Sequence, residues 1–218
     1  MEEQLKNKIT CGDSLKIMKD IPDNSIDLVL TDPPYGMQFR SNYRVIRHNK
    51  IENDDNLDWL PIFSKEIRRV MKDNAHAYIF CSFHNIDIFK QALQPIKNIL
   101  IWEKNNTGMG DLLGDYAPKY EMCIFISNGK KLNGNREPNI MKFTKTHNEL
   151  HPTEKPTFLM QYLISKSSNE NDLILDPFLG SGTTAVACKH LKRNFIGIEI
   201  SEEYCEIARQ RLRQDILI

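Results

Sequence analysis

The sequence predicts an α/β protein built on a mostly parallel β-sheet with helices on both faces. Three observations carry that reading. Short apolar runs alternate with amphipathic stretches, from Lys8 to the helix that follows Glu199. Two of those runs stop at an aspartate followed by proline, in Thr31-Asp32-Pro33-Pro34-Tyr35-Gly36 and in Asp176-Pro177-Phe178. The second continues through a glycine loop, Leu179-Gly180-Ser181-Gly182, into the helix-forming residues after Thr183-Thr184. Proline has no N–H to give to a strand ladder, so each Asp-Pro ends its strand. In open α/β sheets ligands bind outside the carboxyl ends of the strands, where both signals fall.

In chain order, Lys8 to Cys11 reads as a short strand ending at Gly12-Asp13, with a helix to about Lys19. Ile26 to Leu30 is a buried strand that stops at Asp32. Gly36 to Asn56 is polar and basic without a period, a long loop of the kind that is functional or disordered. Leu57 to Met71 has helical spacing at Leu60, Phe63, Ile67, Val70 and Met71; Pro61 is compatible only with its first turn, so the helix starts a residue or two later. Ala75 to Ser82 is a strand, and Ile86 to Leu93 a helix ended by Pro95. Ile99 to Glu103 and Glu121 to Ser127 are strands around a Gly- and Asn-rich loop, Asn105 to Pro118. Asn128 to Glu149 is irregular, with Asn-Gly turns at Asn128 and Asn133. Pro156 suits the first turn of a helix running to about Ser165. Asp172 to Asp176 is a strand, Thr183 to Leu191 a helix and Asn194 to Glu199 a strand, and Ser201 caps the final helix.

A chain of 218 residues is expected to form one catalytic domain, with a core large enough to need no disulfide or metal. The formal net charge is zero, but Arg40, Arg44, Arg47 and Lys50 crowd one segment. Lys119, Lys130, Lys131, Arg136, Lys142 and Lys145 crowd another. Local basic surface on a neutral protein suits phosphate contact, although each segment alone reads equally as a solvated face. The five cysteines are scattered without a CxxC pair, and the histidines show no metal-ligand spacing with them. A reducing, cytoplasmic setting and no metal are therefore expected. The start is not a signal peptide, and no apolar run is long enough to cross a bilayer.

The two Asp-Pro segments carry different chemistry. Gly180 and Gly182 lie between a strand and a helix, where glycine permits a tight turn and lets a ligand reach backbone. No GxxxxGK[ST] or GxGxxG is present, which excludes a triphosphate loop and a nicotinamide oxidoreductase fingerprint. A second strand ends at Glu199, placed as a ribose-binding acid is placed after a nucleotide loop. The alternative for Glu199 is a carboxylate favoured by a helix dipole. At Asp32-Pro33-Pro34-Tyr35 a carboxylate and a fixed backbone carbonyl lie side by side. Together they can accept both hydrogens of the exocyclic amine of a base, whose lone pair is otherwise delocalised into the ring. Tyr35 offers a stacking face. In a duplex the base must be flipped out to reach such a site.

These residues resemble the amino-group DNA methyltransferases that use S-adenosylmethionine. Asp32-Pro33-Pro34-Tyr35 matches the catalytic motif and Asp176 to Gly182 the cofactor motif; the catalytic motif comes first, as in the permuted beta class. The likeness is specific over 8–36 and 151–212 and loose over 37–150. It implies a permuted Rossmann-like methyltransferase fold, a seven-stranded sheet with one antiparallel strand. It implies S-adenosylmethionine held by Asp13, Asp32, Asp176, Phe178, Gly180, Ser181, Gly182, Thr183 and Glu199. Lys155 either covers the methionine end of that cofactor or is a surface lysine, and Thr183 and Thr184 either cap their helix or bind the cofactor carboxylate. Asp rather than Ser at the head of the catalytic motif implies adenine N6 as the acceptor; cytosine N4, and the same chemistry on RNA, are the alternatives. Double-stranded DNA would be contacted by loops at about 37–56 and 105–150, through Arg40, Arg44, Arg47, Lys130, Lys131 and Arg136. A homodimer, and a companion restriction endonuclease that is not a required subunit, follow by the same analogy.

Overall fold

The computed structural model describes residues 2–36, 56–108, 113–145 and 154–214. The elements are α1 (Glu2–Leu5), β1 (Lys8–Cys11), α2 (Ser14–Ile17, continuing as a 3-10 turn over Met18–Asp20), β2 (Ile26–Thr31), α3 (Leu60–Val70) and β3 (Met71–Cys81). A 3-10 turn (Phe83–Asn85) leads into α4 (Ile86–Ala92), then β4 (Asn98–Glu103), β5 (Tyr120–Ser127) and β6 (Ile140–Lys142). The chain ends with α5 (Thr157–Ser167), β7 (Leu173–Asp176), α6 (Thr183–His190), β8 (Asn194–Glu199) and α7 (Glu202–Gln214).

All eight strands form one sheet in the order β1-β8-β7-β2-β3-β5-β4-β6. Every pair is parallel except those of β5, which runs antiparallel to both β3 and β4. The seven expected strands are present. The eighth, β6, corrects the reading of Asn128 to Glu149 as irregular throughout. It is three residues long with only Met141 buried, too short for alternation to show in sequence, and it forms by pairing with β4. β3 also begins at Met71, where the residues from Met71 through Asn74 had no strand signal; Met71 pairs with Ile26. α3 starts at Leu60 with Pro61 in its first turn, as expected. Pro156 instead stands just outside α5 as its N-cap, with extended ψ of 132°.

Strand residues alternate between two apolar layers, except across the irregularity between Ile26 and Leu28 of β2, which pack on opposite sides. Leu28, Leu30, Tyr78, Phe80 and Phe195 pack with Leu163 of α5, Ala187 of α6 and Ala208 of α7. Val29, Ala77, Ile79, Leu175 and Ile198 face the other way, onto Phe63 and Ile67 of α3 and Phe89 of α4. From β7 the chain moves to β8 on one side; from β2 it moves to β3 on the other. The strand order therefore reverses between β7 and β2, and a crevice must open there at the carboxyl ends.

Candidate active site

Asp176, the last residue of β7, is buried and fully engaged. Its Oδ1 accepts from Thr31 Oγ1 at 2.8 Å and from the Phe178 N–H at 3.1 Å, and its Oδ2 accepts from Thr184 Oγ1 at 2.5 Å. Burial pushes its pKa up to about 6 although all three donors pull it down. The carboxylate thus ties the tips of β2 and β7 to the first turn of α6. Thr184 therefore serves the loop. Thr183 Oγ1 and Ser181 Oγ both accept from the Arg211 guanidinium of α7, at 3.3 and 3.0 Å.

The glycines of this loop have separate jobs. Gly182 is left-handed (φ 89°), caps α6, and would place a Cβ 2.6 Å from the Ala208 Cβ. It is glycine so that α7 can approach. Gly180 (φ 55°) turns its N–H onto Glu199 Oε2 at 2.8 Å, and the Ser201 N–H reaches Oε1 at 2.9 Å. Two backbone donors thus fix the Glu199 carboxylate, whose oxygens can each accept a further bond. Gly12 N–H donates to the Glu199 carbonyl at 2.9 Å, placing Asp13 beside that acid; Asp13 itself caps α2 through Leu15 N–H at 3.0 Å. Phe178 packs on Trp59 and Phe63, with ring centroids 5.4 and 5.5 Å away.

Asp32 begins where β2 stops. Its Oδ1 accepts the Tyr35 hydroxyl and its Oδ2 meets the Lys155 ammonium. Lys155 is 5% exposed, so it is not a surface lysine. Its Nζ also lies 3.1 Å from Glu121 Oε2 and 4.9 Å from the Phe80 ring centroid. Glu121 Oε1 in turn lies 2.5 Å from Lys104 Nζ. Burial pushes the Asp32 carboxyl up against the pull of Lys155. Burial would likewise lower the Lys155 ammonium, but Asp32 and Glu121 hold it above its usual range. Glu121 sits below the carboxylate range because Lys155 and Lys104 outweigh its burial. Asn85 Nδ2 donates to the Tyr35 carbonyl at 2.5 Å and pins the backbone after the two prolines. The Tyr35 ring stands edge-on to Phe89 at 6.4 Å.

Asp32 to Tyr35, Asp13, Lys155, Asp176, Phe178, Gly180, Ser181, Thr183 and Glu199 all line one cavity of about 500 Å³ at the β7–β2 crevice; Gly182 lies behind it, against α7. Among the described residues its walls carry six carboxylates (Asp13, Asp32, Glu121, Glu154, Asp176, Glu199) against two lysines (Lys104, Lys155), a charge balance that favours a cationic centre. Sequence reasoning missed Glu121, Lys104, Asn85 and the Phe83–His84 pair at the cavity wall. Glu121 had one signal, an acid placed directly before the apolar run Met122 to Ile126.

The basic residues divide. Lys130, Lys131 and Arg136 follow β5, whose Ser127 pairs with His76 at the amino end of β3, while its Met122 pairs with Cys81 at the cleft end. They therefore lie beyond the opposite edge of the sheet, a strand length of about 17 Å from the cavity, and Lys130 pairs with Asp172 at 3.8 Å. Lys119, just before β5, and Lys142, at the end of β6, sit on the cleft side and both pair with Glu103, at 3.0 and 3.5 Å. Arg40, Arg44 and Arg47 lie outside the described residues. Among the described residues no helix is long and apolar enough to cross a membrane.

The profile of a DNA methylase family matches residues 26–210. The chain is 32% identical to the Type II methyltransferase M.HpaI of Haemophilus parainfluenzae over 240 residues, 95% of this chain and 74% of that one. Among solved structures, the crystal structure of the M1.HpyAVI–SAM complex superposes with a TM-score of 0.72 at 30% identity, covering 94% of this chain and 98% of that one. The PvuII DNA methyltransferase (cytosine-N4-specific) superposes with a TM-score of 0.77 at 19% identity, over 93% and 85% of the two chains, a likeness of fold.

Proposed function

The chain belongs to this DNA methylase family, and from that membership we propose that it transfers a methyl group from S-adenosylmethionine to the N6 amine of an adenine flipped out of double-stranded DNA. The observation that supports it is the meeting of Asp32 and Gly180, far apart in sequence, in one cavity. The cavity fits the cofactor. Its size is that of a small-molecule site, Glu199 presents a fixed carboxylate for ribose hydroxyls, Phe178 an apolar ring, and the acidic walls suit a sulfonium. When bound, S-adenosylmethionine supplies an electrophilic methyl group.

The chain's own residues do the rest. Asp13, Phe178 and Glu199 orient the adenosyl part. Asp32 and the backbone that Pro33 and Pro34 stiffen accept the amine hydrogens, so the nitrogen lone pair turns toward the methyl carbon. Tyr35 holds Asp32 and gives the base a face, and Phe83, half exposed, extends the aromatic wall beside it. Proximity supplies most of the rate and local charge the remainder. In such a transfer the carbon–sulfur bond would break as the carbon–nitrogen bond forms, its electron pair staying on sulfur, and one amine proton would leave to Asp32 or solvent. Aspartate at the head of the motif supports adenine over cytosine. DNA lies over the cleft side, where Lys119 and Lys142 contact phosphate; Arg40, Arg44 and Arg47 are phosphate contacts expected from the sequence alone. The same reading includes one catalytic domain, a homodimer, a cytoplasmic setting and a companion endonuclease that is not a subunit.

Incubation with methyl-labelled S-adenosylmethionine and unmethylated DNA, followed by digestion to nucleosides, tests it. Label in N6-methyladenine is expected. Label in N4-methylcytosine would move the acceptor, and label only in RNA or protein would overturn the reading.

A further inference from the structure

Both oxygens of Asp32 are already occupied by the chain's own donors, Tyr35 and Lys155. A base amine needs one of them. Tyr35 is anchored by its own backbone and by Asn85, whereas Lys155 has a second carboxylate on its far side. Glu121 Oε2 is buried, stands 3.1 Å from the ammonium, and accepts no directed hydrogen bond. Its other oxygen is held by Lys104, so the acceptor cannot swing away. The aromatic face of Phe80 lies beside the ammonium at 4.9 Å and cushions the charge near both acids.

We propose that Lys155 is a two-position latch and Glu121 the positioning residue that operates it: Lys155 closes on Asp32 while the site is empty and shifts onto Glu121 when the amine arrives. The inference rests on the functional reading above. The latch keeps a buried carboxylate paired in both states, which matters because an unpaired buried charge costs several kcal/mol. Two carboxylates and two lysines keep the group neutral throughout. The shift also changes Asp32 chemically. With the ammonium beside it the carboxylate is a weak proton acceptor; without it, a stronger one, at the moment a proton must leave nitrogen. The ionisable groups facing Asp32 are Tyr35 from its own loop, Cys81 of β3, Glu121 and Cys123 of β5, Lys155 before α5, and Asp176 of β7. Among the described residues that face Asp32, only Lys155 carries positive charge.

Glu121→Gln tests the latch, being nearly isosteric. Lys155 then has no second charge to move to. Expected are a fall in kcat of about tenfold or more with cofactor Kd unchanged, and a shift of the acid limb of the pH–rate profile to lower pH. The Asp32 carboxyl followed by carbon-13 NMR in the substrate-free protein should also titrate lower than in the wild type. The double variant Glu121→Gln/Lys155→Met is expected to be faster than Glu121→Gln alone, because the clamp on Asp32 is gone. A merely structural Glu121 would lower stability without this reversal. An unshifted Asp32 titration, or a double variant no faster than the single, would overturn the latch. Absence of transfer to DNA by the wild-type protein strikes the functional reading instead, and the NMR titration still decides the latch.

Discussion

Asp32 and Asp176 invite comparison. Both stand at the tips of neighbouring parallel strands, both precede proline, and both line one cavity, Asp176 buried and Asp32 partly so. Asp176 is satisfied by neutral partners, two threonine hydroxyls and an N–H. Asp32 is satisfied by a tyrosine and a lysine that is shared with a second acid. Neutral, short-range donors fix a carboxylate and keep it fixed. A mobile ammonium holds one reversibly. The first arrangement builds the scaffold and the second can change state during a reaction.

The two alanine variants test this contrast hardest. Asp32→Ala is expected to cut methyl transfer by roughly a thousandfold while cofactor affinity by calorimetry stays within a few-fold. Loss of cofactor binding would mean that Asp32 holds the loop as Asp176 does. Asp176→Ala leaves Thr31, Thr184 and the Phe178 N–H without their acceptor and should cost about 3 kcal/mol of stability, read from urea melts. If its melts match those of Asp32→Ala, the two tips are equivalent and the distinction fails.

Asp176→Asn sharpens the contrast through pH. The folded pKa of about 6 lies above the ordinary 3.8, so the folded state binds the proton more tightly. Wild-type stability is therefore lost as pH rises between those values, by up to about 3 kcal/mol, and is level above them. Asparagine can still accept from Thr31 and Phe178 and donate to Thr184, so the variant should gain on the wild type across that window. A constant difference from pH about 4 to about 7 would mean that Asp176 is not strained by burial.

The smallest effects separate single donors. Thr184→Val should cost about 1 kcal/mol in melts and leave kcat within twofold or so. Tyr35→Phe should do the reverse, slowing transfer by about tenfold with little change in melting. Equal profiles for the two would erase the distinction between scaffold and reacting group.

Much of this was legible in sequence where chemistry and local backbone agree. The Asp-Pro stops located both strand tips, and Gly180 and Glu199 come together because β7, its glycine loop, α6 and β8 are consecutive in the chain. What sequence could not give was direction and partnership. Lys119 and Lys130 look like one basic run, but antiparallel β5 carries them to opposite ends of the sheet. Lys155 reads either as a cofactor contact or as a surface lysine until Asp32 and Glu121, one from β2's tip and one from β5, close on it. β6 has too few residues to show a period and exists only by pairing with β4.

β1 pairs with β8, Lys8 beside Ile196 and Cys11 beside Glu199. The cavity wall that carries Glu199 is thus stitched from two strands far apart in the chain. On the ribosome Gly12 and Asp13 emerge early and wait for Glu199 to leave the exit tunnel. A chain cut short of Glu199 has its Asp-Pro-Pro-Tyr segment but lacks β8, the strand on which β1 and the Gly12 turn are built.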